Sequence, residues 1–177
     1  ILNCPAVNQC RDSHLNGVPV RPSVMWFRRD LRLTDHPALC SAAESGEVLP
    51  VFVWDPRLVA TGGARNARLT ASLAALQEST GGALVIRSGD PAEMLPDLAT
   101  EVGANRVHVT GEITPYGRRR DARVAERLAS VGAELVATES PYAITPGRVR
   151  NGSGDAYRVF TPFHRAWNAH GWPAPPS

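Results

Sequence analysis

Arginine and aspartate side chains crowd the end of an apolar run near the start of the chain. Residues 24–27 are Val, Met, Trp and Phe, and Arg28, Arg29, Asp30 and Arg32 follow at once. A purely structural turn needs only Gly, Asn or Asp at such a place. Arginine offers a planar guanidinium that bonds bidentately to oxygen acceptors and stacks on flat rings. The stretch therefore indicates a binding function at the end of a buried strand.

The common phosphate-binding loops are missing from the sequence. No G-x-G-x-x-G follows the first apolar run, and no G-x-x-x-x-G-K occurs anywhere. These glycines let a backbone approach a pyrophosphate or cradle it. Ordinary dinucleotide-binding and nucleotide-hydrolase functions therefore lose their main support.

Composition limits the remaining classes. A chain of 177 residues suits one domain, and a net charge of +2, with all 19 basic residues arginine, is too small to indicate nucleic acid or membranes by itself. No apolar run approaches the ~20 residues of a membrane span, and no signal peptide is evident. Three cysteines, Cys4, Cys10 and Cys40, favour a reducing cytoplasm. Cys4, Cys10 and His14 lack a fourth ligand, so we expect no metal site.

Strands and helices alternate along the chain. Strands are predicted at Ser23–Phe27, Val48–Trp54, Ala83–Arg87, Arg106–Thr110 and Ala133–Thr138. Helices are predicted at about Pro37–Ser45, Ala64–Ser79, Pro91–Val102 and Gly117–Val131. This order predicts an α/β fold with a five-stranded, doubly wound parallel sheet, a Rossmann-like three-layer sandwich.

The two ends lie outside this sheet. Residues 1–22 have no clear periodicity and are predicted to form an N-terminal extension, while residues 171–177 are predicted to begin a linker. A last short helix is expected to start at Thr161, before Pro162. We expect three aromatic residues to anchor this helix on the domain: Phe160, Phe163 and Trp167.

A cluster of arginines occupies the fourth predicted helix. The positive charge of this cluster is partly offset by Asp121 and Glu126. The arginines are Arg118–Arg120, Arg123 and Arg127. We expect a solvated helix face rather than a surface that binds DNA.

Five stretches resemble the DNA photolyase/cryptochrome family. They are, in order, WFRRDLRLTDHPAL, VFVWDPRL, RSGDP, EITPYGRRRD and GDAYRVFTPFHRAW. The resemblance covers residues 23–170 and implies the N-terminal α/β domain, which helps to hold a light-harvesting antenna chromophore. Residues 1–22, the lack of lysine, and Trp54, where a smaller residue is expected, depart from the family pattern.

The resemblance also implies what this domain does not do. FAD and damaged DNA bind to a C-terminal helical domain that the resemblance does not include, so the chain is expected to be an inactive fragment without catalytic residues. Its expected partners are that FAD domain and, through the whole protein, damaged DNA, and the fragment itself is expected to self-associate.

Seven positions are expected to border the antenna. In deazaflavin-binding relatives, residues matching Arg65 and Glu112 contact the chromophore, and the folate pattern has a glutamate where this chain has Thr114. A deazaflavin is therefore favoured over folate or FMN. We predict that Arg29 converges with these two around a pocket completed by Val53, Trp54, Asp55 and Ile113.

Three functions follow as hypotheses. The leading one is the antenna domain of a deoxyribodipyrimidine photolyase, a light-driven lyase that splits pyrimidine dimers. A cryptochrome-type photoreceptor domain is the second. An adenine-nucleotide-binding α/β protein from outside the family is the third.

Overall fold

The structure is a computed structural model that describes residues 21–59, 63–172 and 174. It contains five strands, β1 (Ser23–Phe27), β2 (Val48–Trp54), β3 (Val85–Ser88), β4 (Arg106–Thr110) and β5 (Glu134–Thr138). The helices of the described residues are α1 (Pro37–Ala43), α2 (Pro56–Val59), α3 (Gly63–Ser79), α4 (Pro91–Val102), α5 (Pro115–Ser130) and α6 (Phe160–His170).

The strands form one parallel sheet in the order β3-β2-β1-β4-β5. Val24 of β1 pairs with Leu49 on one side and with Val107 on the other. The chain winds outward from β1 in one direction and then returns to wind in the other. The predicted five-stranded, doubly wound parallel sheet is confirmed.

The central strand separates two apolar cores. Val24 and Trp26 pack in a cluster that includes buried residues of α4 and α5. Met25 and Phe27 pack in the other, with buried residues of α1 and α3. Because successive side chains of a strand point to opposite faces, β1 contributes to both cores and is buried throughout. Its end is thereby fixed at the middle of the sheet.

Three helices begin with the same N-terminal capping arrangement. The side chains of His36, Asp90 and Thr114 each accept a backbone N–H of the first helical turn, and a proline follows each of them. A side-chain acceptor satisfies a free backbone donor, and proline there loses no hydrogen bond. Thr114 therefore starts α5 two residues earlier than predicted.

Other boundaries also differ from the sequence prediction. β3 begins at Val85 and β5 at Glu134, and the short helix α2 was not predicted. The last helix begins at Phe160 after Val159, whose side chain makes no capping bond, so the predicted start at Thr161 is wrong.

The predicted aromatic anchor is also wrong. No residue of α6 is buried, and Phe160 is 73% exposed. Its aromatic residues contact their own segment: Phe163 meets Tyr157, and Trp167 lies 5.1 Å from Trp172 between ring centres.

Several sequence predictions concern residues outside the described part. Residues 1–20, with Cys4, Cys10 and His14, lie there, as does most of 171–177. The division of the chain at residues 22 and 170 stays a prediction. Within the described ranges, no three His, Cys, Asp or Glu side chains are grouped to hold a metal ion, and no helix has the length and apolar character needed to cross a membrane.

Candidate functional site

A cavity of about 570 Å³ opens at the carboxyl edge of the sheet. It lies where β1 and β2 end, between α3 and the segment that joins β4 to α5. In parallel α/β sheets this edge, at the point where strand order reverses, is the usual ligand crevice. Its walls combine apolar and charged side chains, which are Trp26, Arg28, Arg29, Leu31, Phe52, Val53, Trp54, Asp55, Leu58, Arg65, Asn66, Arg68, Leu69, Ser72, Pro91, Glu112, Thr114, Tyr116 and Arg120.

An ion pair between Arg29 and Glu112 borders the cavity. Nη2 of Arg29 donates to Oε1 and Oε2 of Glu112 at 2.9 and 2.8 Å. Oε1 also accepts the backbone N–H groups of Ile113 and Thr114. Burial opposes ionisation of Glu112, but these N–H groups and Arg29 outweigh it and hold the pKa of that carboxyl below its ordinary value. Glu112 is therefore a fixed, ionised acceptor.

Most of the predicted site residues line this cavity. Arg29, Val53, Trp54, Asp55, Arg65 and Glu112 do, whereas Ile113 is not among the lining residues. Arg65 enters from the first turn of α3 and forms no ion pair with any residue of the described ranges. The predicted convergence thus consists of one direct pair, Arg29 with Glu112, and a third side chain on the same cavity.

Asp55 is buried and its oxygens are already in use. Oδ1 accepts the backbone N–H and the Nε–H of Arg57 at 3.0 and 3.1 Å, and Oδ2 accepts the hydroxyl of Tyr116 at 2.8 Å. Burial and this hydrogen bond raise the pKa of Tyr116. Asp55 therefore positions α2 and Tyr116. The sequence prediction missed Tyr116, although it stands within the EITPYGRRRD stretch.

The buried Arg120 and the half-buried Arg28 form the cavity floor with Trp26. The Cζ atoms of Arg28 and Arg120 lie 4.8 and 4.9 Å from the ring centre of Trp26. Both guanidiniums bond to Asp121, with Arg28 Nη1 at 2.7 Å and Arg120 Nη2 at 2.8 Å from Oδ1. Burial raises the pKa of Asp121 even though Arg28 acts against it.

Because Arg120 belongs to this floor, the prediction that the arginines of α5 form a solvated helix face is wrong at that position. Arg120 is only 8% exposed, while Arg123 is exposed and pairs with Asp90. The signal was present in the sequence: Arg120 precedes the buried Val124 and Leu128 by four and eight residues, the spacing of one helix face.

A third group braces the turn after β1. Oδ2 of Asp30 lies 3.0 Å from Nε2 of His36 and accepts the hydroxyl of Thr110, and Oδ1 accepts the backbone N–H of Arg28. Nδ1 of His36 accepts the N–H of Leu39, so its proton sits on the nitrogen that faces Asp30. Burial opposes ionisation of Asp30, but His36 and Thr110 outweigh it and hold its pKa well below the ordinary value.

Known proteins with the same sequence pattern share this architecture. The family profile for DNA photolyase matches residues 23–177. The chain belongs to the DNA photolyase family. A deoxyribodipyrimidine photo-lyase of Synechococcus is 34% identical over 161 residues, 87% of this chain and 33% of the relative. The family match excludes the third hypothesis, a protein from outside the family.

Solved photolyase structures have the same fold. A class III photolyase from Agrobacterium tumefaciens has a TM-score of 0.78 and 37% identity over 86% of this chain and 33% of that one. An archaeal photolyase from Sulfolobus tokodaii, solved with two FAD molecules that imply a novel light-harvesting cofactor, has a TM-score of 0.70 and 27% identity over 81% and 33%. The chain spans about a third of the length of these photolyases.

Proposed function

We propose that this chain is the antenna-chromophore domain of a deoxyribodipyrimidine photolyase, and that its cavity holds the antenna. The observation that carries the proposal is the Arg29–Glu112 pair on a cavity of about 570 Å³ in a photolyase-family fold. Cavities of roughly 300–1,000 Å³ with apolar walls and a few fixed polar groups suit small cofactors.

The lining fits a flat pigment with polar edges. Trp54 and Val53 offer apolar contact, Glu112 accepts from ring N–H or hydroxyl groups, and Arg29 and Arg65 donate to carbonyls. We propose a deazaflavin ahead of folate or FMN, because Glu112 is present and Thr114 replaces the glutamate of the folate pattern. A light-harvesting pigment supplies excitation energy when bound, and these residues hold and orient it.

The bond chemistry is assigned to another part of a photolyase. We propose that FAD and damaged DNA bind to a helical domain outside residues 1–177, and that energy passes to FAD from the antenna. The chain alone should therefore repair no pyrimidine dimers under blue light. Repair of pyrimidine dimers by the purified 177-residue chain would contradict this assignment. The cytoplasmic location of the protein stays a prediction.

The test is a titration of the chain with 5-deazariboflavin, FMN and a reduced folate in parallel, followed by absorbance and emission. We expect saturable 1:1 binding, tightest for the deazaflavin. Failure of all three pigments to bind would overturn the antenna function, and tighter binding of folate or FMN would overturn only the choice of pigment.

A further inference from the structure

The cavity floor holds more buried charge than packing requires. Arg28 and Arg120 have side chains 11% and 8% exposed, and they share one carboxylate, Asp121. Arg28 Nη1 alone reaches both oxygens of Asp121, at 2.7 and 3.0 Å. Arg120 therefore adds a second cation to an acid that already has a partner, at the desolvation cost that burying any charge carries.

The surplus charge lies against one aromatic ring. Two guanidiniums and one carboxylate leave a net charge of +1 beside Trp26, with both Cζ atoms within 4.9 Å of its ring centre. Glu112 also interacts with Arg28 and Asp121, but its charge is balanced by Arg29, so the sum is unchanged. Trp26 is 2% exposed and lines the cavity, so little water screens this charge. Among the described residues, Trp26 is the only tryptophan whose ring is in contact with a guanidinium. Trp54, on the same cavity, meets Phe52 instead.

A positive charge at this distance changes the redox chemistry of an indole. A photoexcited flavin-type pigment can take one electron from a neighbouring tryptophan, which leaves an indole radical cation. Return of that electron regenerates both partners and releases the excitation as heat. A cation already fixed at about 5 Å repels the new positive charge and so disfavours the first transfer.

We propose that Arg28 and Arg120 make Trp26 a poor electron donor, so that it can form the floor of the pigment cavity without quenching the excited pigment. This role rests on the proposed antenna function. It gives a reason for the second arginine: a neutral residue at position 120 would leave Asp121 paired but the indole less protected. The two arginines act on the pigment through Trp26 and are positioning residues.

The experiment measures the emission lifetime of 5-deazariboflavin bound to the 177-residue chain. All variants carry Trp54→Phe, which removes the other tryptophan of the lining. Arg120→Met and Arg28→Met each remove one guanidinium from Trp26, and each is then combined with Trp26→Phe. Arg127→Met is the matched control, because Arg127 is an exposed arginine on the same helix as Arg120 and does not line the cavity. Circular dichroism verifies folding, and Arg28→Met serves if Arg120→Met does not fold.

We expect Arg120→Met to shorten the bound lifetime by about twofold or more, Trp26→Phe to restore it, and Arg127→Met to leave it unchanged. An unchanged lifetime in both arginine variants would overturn the inference, as would a shortening that persists after Trp26→Phe. Absence of binding to the parent chain would instead overturn the antenna function, and this inference with it.

Discussion

Arg29 and Glu112 are 83 residues apart in the sequence and form an ion pair at the carboxyl edge of the sheet. The two side chains differ in how firmly they are held: that of Glu112 is 9% exposed and also accepts two backbone N–H groups, whereas that of Arg29 is 56% exposed. Glu112 is thus a fixed acceptor, and Arg29 is the more exposed partner of the pair.

Arg29→Ala should leave the fold almost unchanged. Exposed ion pairs contribute about 0–1 kcal/mol, so we expect the free energy of unfolding in urea to fall by less than about 1 kcal/mol. Arg28→Ala is the contrasting variant, because it removes a partner of Asp121 whose side chain is only 11% exposed, and it should lower that free energy by more than about 2 kcal/mol. Equal losses in the two variants would show that Arg29 is a structural residue.

Gly117→Ala should disturb the site through Glu112. A Cβ at residue 117 would lie 1.8 Å from Cγ of Glu112, so the Glu112 side chain would have to leave its backbone donors and Arg29. We expect a loss of about 1–3 kcal/mol in stability together with weaker pigment binding. Gly63→Ala is the matched control, since nothing lies within 4 Å of its added Cβ. A Gly117→Ala variant that binds pigment like the parent would contradict the position assigned to Glu112.

His108 should make stability depend on pH below neutrality. It is 2% exposed on β4, its ring nitrogens have no hydrogen-bond partner among the described residues, and burial together with nearby Arg106 lowers its pKa to about 4. The unfolded chain takes up this proton near pH 6.5 and the folded chain only near 4, so stability falls as pH drops through that window. The loss attributable to His108 should approach about 3 kcal/mol.

The measurement is the free energy of unfolding from pH 7 to pH 4 for the parent and for His108→Leu. The parent should lose more stability than the variant over this interval, and His164→Leu, which alters an exposed histidine, should behave like the parent. Parallel curves for the parent and His108→Leu would refute the assignment.

Phe160→Ser should alter association rather than stability. Phe160 is 73% exposed and directly follows the exposed Val159, so we predict that this apolar area mediates self-association of the chain. Sedimentation velocity should show less dimer for Phe160→Ser at equal concentration, with unfolding unchanged. Leu95→Ala, in the core, should lose about 2–5 kcal/mol. A concentration-independent monomer in the parent would contradict the association.

Local sequence patterns correctly predicted the bounds of those elements whose ends are marked by capping residues or by the limits of an apolar run. α4 has its predicted bounds because Asp90 and Pro91 start it and Gly103, with φ of 69°, ends it. The apolar runs of β1 and β2 likewise gave their bounds.

Long-range pairing decided what local patterns could not. Arg120 shares the spacing of the buried face of α5, but its partner Asp121 also bonds to Arg28, which lies 93 residues earlier just after β1, and charge patterning alone cannot reveal that contact. Similarly, the aromatic spacing in α6 predicts an apolar face but does not say what covers it. The Arg29–Glu112 pair was predicted through the family resemblance, which supplied the relation between two distant loops.

The most direct test of the antenna account is the affinity of the chain for 5-deazariboflavin when Glu112 or Arg65 is replaced. Removing one polar partner from a bound pigment should cost about 1–3 kcal/mol, so Glu112→Ala and Arg65→Ala should each raise Kd by roughly 5- to 150-fold. Glu126→Ala, on an exposed part of α5, is the control and should bind like the parent. If both cavity variants bind the pigment as tightly as the parent, the charged residues at the strand ends are structural and the antenna assignment is wrong.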